Sequence, residues 1–334
     1  MKNKVMLVLI VLVLGLSLVL SGCNTQTELT KVKVSEVTHS IFYAPQYAAL
    51  TQGFFKEEGL EIELTNGAGA DKVMTGVLSG QVDIGFAGPE ASVYVYNEGK
   101  EDHSVVFAQL TNGDGTFLMG RKADTQFKWS DLEGKTVIGG RKGGMPAIVL
   151  QYVLSKNGLT NGKDVFIDTT MQFAAMPGAF MGGQGDYVII FEPTASSMEK
   201  EGKAYIVASL GKDSGEIPYT AYFTKKSTIE KNPELIQKFT NAIYKGQRWV
   251  ANHSAEEIAK AIKPQFPEEK DEILVSSVKR YKEQNSWKTD PVLNEKDFYL
   301  LQQIIKDAGE LNKIAPYKNV VTTRFAEKSV QDIK

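Results

Sequence analysis

The chain has 334 residues, of which 42% are hydrophobic and 23% charged, with a formal net charge of −2. That length predicts two globular units rather than one, and the mix of apolar and charged residues excludes disorder, collagen and a polytopic membrane protein. With no basic excess to neutralise phosphates, nucleic acid is not an expected partner. The single cysteine excludes an internal disulfide and a thiolate metal cluster.

The chain opens on Lys2 and Lys4, followed by a 16-residue run from Val5 to Leu20 built only of Val, Leu, Ile, Met, Gly and Ser. A positive start before a short apolar run is the pattern of a secretory signal, and the run is short for a membrane span of about 20 residues. It ends Leu20-Ser21-Gly22-Cys23, which resembles the bacterial lipobox. Residues 1–22 are therefore expected to be a lipoprotein signal peptide. The resemblance implies that Cys23 is lipidated and becomes the mature N-terminus, and several acyl chains anchor firmly where one does not. Residues 23–31 read as a polar tether. The expected product is exported and held on the outer or periplasmic face of the cell membrane.

Beyond the tether, strands and helices alternate. Lys33–Thr38 reads as a strand. Pro45 opens a helix carrying Tyr47, Leu50, Phe54 and Phe55, which Gly59 ends. A strand at Leu60–Leu64, a helix at Asp71–Ser79, a strand at Val82–Phe86, a helix from Pro89 to Gly99 and a strand at Ser104–Gln109 follow. Units this short imply parallel βαβ crossovers. The plan then repeats. Strands are expected at Thr136–Gly139, Val165–Asp168, Tyr187–Phe191 and Tyr205–Leu210. Helices are expected at Ala147–Lys156, Ala174–Met181 and from Pro193 to Lys200. A strand at Tyr219–Lys225 leads into a helical tail at Pro233–Val250, Ser254–Ile262, Glu268–Glu283 and Glu295–Ala308, with a capping-box spacing at Ser254 and Glu257.

Self-comparison sharpens the repeat. Gly80-Gln81-Val82-Asp83 leads one strand and Gly183-Gln184-Gly185-Asp186 another. Those strands run into Gly88-Pro89-Glu90-Ala91-Ser92 and Glu192-Pro193-Thr194-Ala195-Ser196. Two similar βαβαβ units is the economical reading.

Phe42-Tyr43-Ala44-Pro45, the run Gly53-Phe54-Phe55-Lys56-Glu57-Glu58-Gly59-Leu60, residues 79–85, the stretch Asp131–Val137 and Phe191-Glu192-Pro193 together resemble the solute-binding proteins of ABC importers. The nitrate, sulfonate, taurine and thiamine-pyrimidine binders are the nearest branch. The resemblance implies an α/β, two-lobed periplasmic-binding-protein fold of type II, each lobe a mostly parallel sheet flanked by helices, joined by two crossover hinge strands. It places residues 32–112 plus 222–334 in lobe 1 and 113–221 in lobe 2, with hinges near Gly113–Thr116 and Tyr219–Ala221.

In such a fold the ligand crevice lies outside the C-terminal strand ends, beside helix N-termini. His39, Phe42 and Tyr43 follow the first strand; the two aromatic rings either stack on a ligand or staple the next helix. Asn66, Gly67 and Ala68 follow the second strand, in a small loop that suits a compact polar or anionic group. Gly88 and Glu90 follow the third. From the second unit, Arg141 with Gly143 and Gly144 is expected to hold an anionic end, unless the run is a mobile turn with solvated cations. Glu192 is either a ligand-facing carboxylate, which accepts from an amine or aminopyrimidine and repels a sulfonate, or a cap for the helix it precedes. Met171, Phe173 and Met176 line the cleft or pack in the core. His103 and His253 fall in polar turns.

No catalytic motif is apparent, and no cofactor or metal is expected. The expected role is therefore a binding protein that delivers a small solute to an ABC permease and its ATPase, working as a monomer. The ligand is a thiamine-precursor pyrimidine or related heterocycle, or alternatively an organic or inorganic anion such as an aliphatic sulfonate, taurine or nitrate. Fungal pyrimidine synthases share the implied fold, but their Cys-rich iron motif is missing from this sequence. An adhesion or sensor lipoprotein is the remaining class.

Overall fold

The computed structural model describes residues 28–334. The signal run, the Cys23 lipid site and the start of the tether lie outside the described residues. Ten strands are described: β1 (Thr30–Glu36), β2 (Leu60–Asn66), β3 (Ile84–Ala87), β4 (Ser104–Asn112), β5 (Thr116–Gly120), β6 (Thr136–Ile138), β7 (Phe166–Asp168), β8 (Tyr187–Phe191), β9 (Tyr205–Ser209) and β10 (Pro218–Lys225). Thr30 and Lys31 already pair with Leu60 and Glu61, so the first strand begins inside the expected tether.

The strands form two five-stranded sheets, ordered β2-β1-β3-β10-β4 and β7-β6-β8-β5-β9. Both follow one plan. The first three strands of each unit are parallel, with the first between the second and third. One antiparallel strand then separates the third from the fourth. In the first sheet that strand is β10, which returns from the other unit; in the second it is β5, which has just arrived from β4. The internal repeat read from the sequence is thus a repeat of topology, with β3 and β8 in matching places. This is a two-lobed α/β fold.

Covered on both faces, the central strands are buried almost throughout: all four residues of β3, all but one of β4 and all but one of β10. Buried parallel strands read as continuous apolar runs rather than alternations. Pro45 stands in the first turn of the helix Ala44–Thr51, where its missing N–H has no intrahelical partner to lose. The single helix expected through Phe55 is two. Gly53 takes φ +82° and a four-residue helix, Phe54–Glu57, follows it. Ser254 and Glu257 cap each other as their spacing implies, at 3.2 and 2.8 Å.

The tail lies over the first sheet. The helix Pro233–Ala251 buries Ile236, Phe239, Ile243 and Val250 and sets Phe239 among Phe55, Phe107 and Tyr222. It approaches Ala44–Thr51 at Gly246, where a Cβ would fall 2.3 Å from the Pro45 carbonyl oxygen and 3.0 Å from Ala49 Cβ. In an exposed helix Gly→Ala stabilises by about 1 kcal/mol, whereas overpacking costs about 1–3 kcal/mol. Because the nearer obstacle is backbone, overpacking wins. Gly246→Ala should lower stability by about 1–2 kcal/mol in urea denaturation, and a stabilised variant would show that the two helices separate freely.

Candidate functional site

A cavity of about 450 Å³ opens between the sheets at the C-terminal ends of their parallel strands. Val37 and Thr38 after β1, Gly69 and Ala70 after β2, and Gly88 and Glu90 after β3 line it from the first sheet. The Arg141–Pro146 segment after β6, Phe173 after β7 and Phe191 at the end of β8 line it from the second, and Tyr43, Tyr219 and Thr220 complete it. Much of the wall is apolar, including Met74, Leu78, Val95, Met145 and Pro146.

The polar groups deep in this region are acids and hydroxyls. Glu90 is 1% exposed, and its Oε2 has no hydrogen-bond partner. Burial pushes its carboxyl up to about 8, only partly offset by backbone N–H groups of Glu90 itself and of Met145. Asp114, in the crossover between β4 and β5, is fully buried. Its Oδ1 accepts from the Thr116 backbone N–H at 2.6 Å and hydroxyl at 2.7 Å, while Oδ2 has no well-formed partner. Burial raises Asp114 to about 7, against the pull of Thr116 and the nearby Tyr219 hydroxyl. The Tyr219 hydroxyl also lacks a well-formed partner. Burial raises Tyr43 and Tyr219 above the ordinary phenol range, so both keep their protons.

At the rim, contacts cross from one sheet to the other. The Arg141 guanidinium meets Asp71 at 2.9 Å, with both side chains partly exposed, and the Tyr94 hydroxyl donates to the Gly143 carbonyl at 3.1 Å. Arg141 is therefore engaged with a carboxylate in this arrangement while it lines the cavity.

The structure brings Tyr43, Gly88, Glu90, Arg141, Gly143 and Gly144 together around the cavity and leaves the other expected residues off its wall. Asn66 turns its Oδ1 to the Ala68 N–H at 2.9 Å. Gly67 lies under Val73 and Ser35, and Ala68 is exposed at φ +54°. The neighbouring Gly69, Ala70 and Asp71, at the start of the helix Ala70–Ser79, line the cavity instead. Phe42 is fully buried among Phe191, Tyr219 and Tyr281. Of the three doubtful cleft residues only Phe173 lines the cavity, and Met176 is fully buried.

Glu192 and His39 are held by other parts of the protein, off the cavity wall. Glu192 caps the helix Thr194–Lys200: its oxygens accept from the Ser196 N–H at 2.8 Å and hydroxyl at 2.7 Å. They also meet Arg280 at 2.8 Å. With its carboxylate so committed, Glu192 serves in this arrangement as the helix cap, the second of the two roles its sequence position allowed. His39 holds Glu36 at 2.6 Å and the Gln265 carbonyl at 2.9 Å, and stacks on Phe266. Burial lowers its pKa, but the hydrogen bond and charge of Glu36 and the Gln265 carbonyl outweigh that and raise it. His103, expected in a polar turn, is buried, with Nε2 2.9 Å from the Asn319 carbonyl, and His253 stacks on Trp249.

A protein-family model described as NMT1/THI5 like matches residues 41–257. The Bacillus subtilis (strain 168) protein YtlA is 49% identical over 309 residues, covering 92% of each chain. Among solved structures, the alkanesulfonate-binding protein SsuA from Xanthomonas axonopodis pv. citri, bound to MOPS, superposes with a TM-score of 0.71 at 15% identity. That match covers 89% of this chain and 99% of SsuA. The periplasmic nitrate-binding protein NrtA from Synechocystis PCC 6803 gives 0.72 at 15% identity, covering 92% of this chain and 90% of NrtA. At these identities the two structures establish the periplasmic-binding-protein fold.

Two predictions follow from the buried acids. Glu90 titrates near 8 in the folded chain against an ordinary 4.5, and Asp114 near 7 against 3.8. The folded state therefore binds more protons between these limits, and the stability they lend is full below about pH 4 and lost as pH climbs to 8. The solute-free protein should melt at progressively lower temperature from pH 5 to pH 8, and Glu90→Gln should flatten the upper part of that slope. An unaltered slope would mean the Glu90 carboxylate is already charged in the fold. Glu192→Gln should cost about 1–3 kcal/mol of stability, because it weakens the cap and leaves Arg280 without one of its anions. It should leave solute affinity within about twofold by calorimetry, since the side chain does not reach the cavity wall.

Proposed function

Because this chain belongs to the NMT1/THI5-like family, we propose that it captures a small organic solute between its lobes and delivers it to the permease of an ABC-type importer. The observation that carries the reading is the cavity of about 450 Å³, walled by both sheets and bridged at its rim by Arg141–Asp71 and Tyr94–Gly143. Enclosure by two units joined through two crossovers is what a receptor needs that closes on its cargo. The lobes of the proposal are 32–112 plus 222–334 and 113–221, hinged near Gly113–Thr116 and Tyr219–Ala221. The role is capture, and no covalent step is involved.

The start of the sequence supports an exported, lipid-anchored protein, with Cys23 as the acylated residue. Cys23→Ala should move the protein from the detergent-rich to the aqueous phase on detergent partitioning. A variant that stays with detergent would mean the apolar run, not the lipid, holds it.

An oxyanion as cargo is favoured by one specific feature, the three helix N-termini at Ala70, Glu90 and Met145 that line the cavity. SsuA and NrtA, by their names, bind such anions.

A thermal-shift screen of aminopyrimidines, aliphatic sulfonates, taurine and nitrate, with X-ray scattering on each hit, tests the proposal. A solute at 100-fold its dissociation constant adds about 2.7 kcal/mol, and the scattering radius should fall as the lobes close. Arg141→Ala should weaken such a solute by less than about tenfold, because an exposed ion pair contributes about 0–1 kcal/mol. Hits that bind without any compaction would count against a closing receptor.

A further inference from the structure

We infer that solute capture in this cleft is proton-linked: Glu90 enters the complex as a neutral carboxyl and donates a hydrogen bond to an acceptor atom of the solute, so that capture weakens as the medium turns alkaline. The inference rests on the solute-binding reading and concerns the control of that site rather than the identity of its cargo.

The argument starts from what surrounds the carboxyl. Glu90 is the first residue of the helix Glu90–Asn97, lines the cavity and is 1% exposed. Its side chain folds back over Gly88, where a Cβ would fall 1.9 Å from Oε2. Glu36 and Glu192 are equally buried, but side-chain donors surround them. His39, Gln46 and Tyr47 serve the first, and Ser196 and Arg280 the second. Among the described residues no side chain donates to Glu90. The other charged residues of the cavity wall, Asp71, Glu98, Lys100, Arg141 and Lys142, are exposed or partly exposed, and Arg141 is committed to Asp71.

A carboxylate in that place would be a buried charge without a counter-ion, which a protein avoids by keeping the group neutral. The helix N-terminus and the backbone N–H groups of Glu90 and Met145 favour the charged form. Loss of water outweighs them and pushes the carboxyl up to about 8. Its titratable neighbours do not reverse this. Tyr94 on the same helix, Tyr43 before the helix Ala44–Thr51 and Tyr219 in β10 are held above the ordinary phenol range. Asp114 in the crossover is itself an acid raised to about 7.

Neutrality decides which way the hydrogen bond runs. Oε2 has no partner, so the backbone N–H groups fall to Oε1 and the proton to Oε2. A buried O–H that finds no acceptor in the protein is unfavourable, and the space that Glu90 lines is where a solute supplies one. Tyr219 repeats the pattern, since its hydroxyl also lacks a well-formed partner and the residue borders the same cavity. The proton stays on Glu90 in the complex and is not transferred. Its loss at high pH leaves a charged acceptor facing the acceptor of the solute.

Benzenesulfonate tests this, because it stays ionised across the working range and any pH dependence belongs to the protein. It is titrated by calorimetry into the detergent-solubilised full chain from pH 6 to pH 9, in buffers of differing ionisation enthalpy. Wild type, Glu90→Gln and Glu90→Leu are compared, with melting curves to confirm that each is folded. For a carboxyl near 8, the protonated share falls from about nine-tenths at pH 7 to about one-tenth at pH 9. Wild-type affinity should fall about tenfold over that interval, with about half a proton taken up per solute at pH 8. Glu90→Gln keeps a donor that does not titrate, so its affinity should stay near the wild-type value at pH 7 throughout. Glu90→Leu should bind about tenfold more weakly at every pH. Infrared difference spectra of the solute-free protein, wild type minus Glu90→Gln, should show a protonated-carboxyl band at pH 6 that fades by pH 9.

The inference is overturned if the wild type binds benzenesulfonate with no pH dependence, if the same slope persists in Glu90→Gln, which would hand it to Asp114, or if the carboxyl band is absent. A wild type that ignores benzenesulfonate at pH 6 also overturns it. X-ray scattering then decides the solute-binding reading separately: compaction with any other solute keeps that reading, whereas a protein that closes on none loses both.

Discussion

Phe42 is the point on which the two sheets are joined. Its ring is fully buried and lies 5.8 Å from Phe191 at the end of β8, 5.6 Å from Tyr219 in β10 and 5.2 Å from Tyr281 in the tail. The crossover passes directly over it at Gly115, where a Cβ would fall 2.6 Å from the ring. Around this ring the backbone is tied from every side. Ser40 Oγ donates to the Glu192 carbonyl at 2.6 Å, the Tyr281 hydroxyl to the Gly115 carbonyl at 2.9 Å, and the Trp287 indole to the Phe42 carbonyl at 2.8 Å. Close packing of this kind transmits displacement rather than absorbing it. The Phe42 cluster is therefore the apolar centre of the seam between the cleft walls.

Three buried carboxylates near the cleft show how similar residues take different roles. Glu36, at the end of β1, is 1% exposed, yet it is fully engaged: His39 at 2.6 Å, Gln46 at 3.0 Å and the Tyr47 hydroxyl at 2.8 Å. Gln46 in turn accepts from Tyr222 at 2.9 Å. That network fixes the first helix to its strand and has nothing left to offer a solute. Glu192 is equally buried and equally engaged, by a helix end and Arg280. Glu90 is as buried as either, but has an oxygen without a partner and lines the cavity. Burial alone does not separate these three acids; the completeness of their hydrogen bonding does.

The sequence made legible whatever depends on neighbours in the chain. Tyr187–Phe191 has the bounds its pattern implies, and the helices starting near Pro45 and Pro233 follow from proline at the first turn. The capping pair Ser254 and Glu257 is local for the same reason. β5 was not legible: Thr116–Gly120 is buried at all five positions and shows no alternation, and so short an apolar run carries no periodic signal. The terminal helix Arg324–Asp332 was not read either. Within the site, Phe42 and Tyr43 are adjacent aromatics, and only the three-dimensional turn decides that Tyr43 lines the cavity while Phe42 joins the core. The pairing of Glu192 with Arg280 spans 88 positions and has no local trace, so its ambiguity could be resolved only by the fold.

The distribution of contacts also says where any opening must pivot. At the rim the sheets are held by an exposed ion pair and one hydrogen bond from Tyr94, interactions worth about 1 kcal/mol each or less. At the back they share the Phe42 cluster, and burying a single phenylalanine ring contributes about 1.5–3 kcal/mol. The tail adds to this back seam. Arg280 reaches both Glu192 and Glu199, Lys200 pairs with Glu272, and Gln284 accepts from Ser209 at 2.7 Å. Two unequal seams, weak in front and strong behind, allow rotation about the back without unfolding it. The tail helix Asp271–Glu283 therefore ties the two sheets together and is not only a cover for the first.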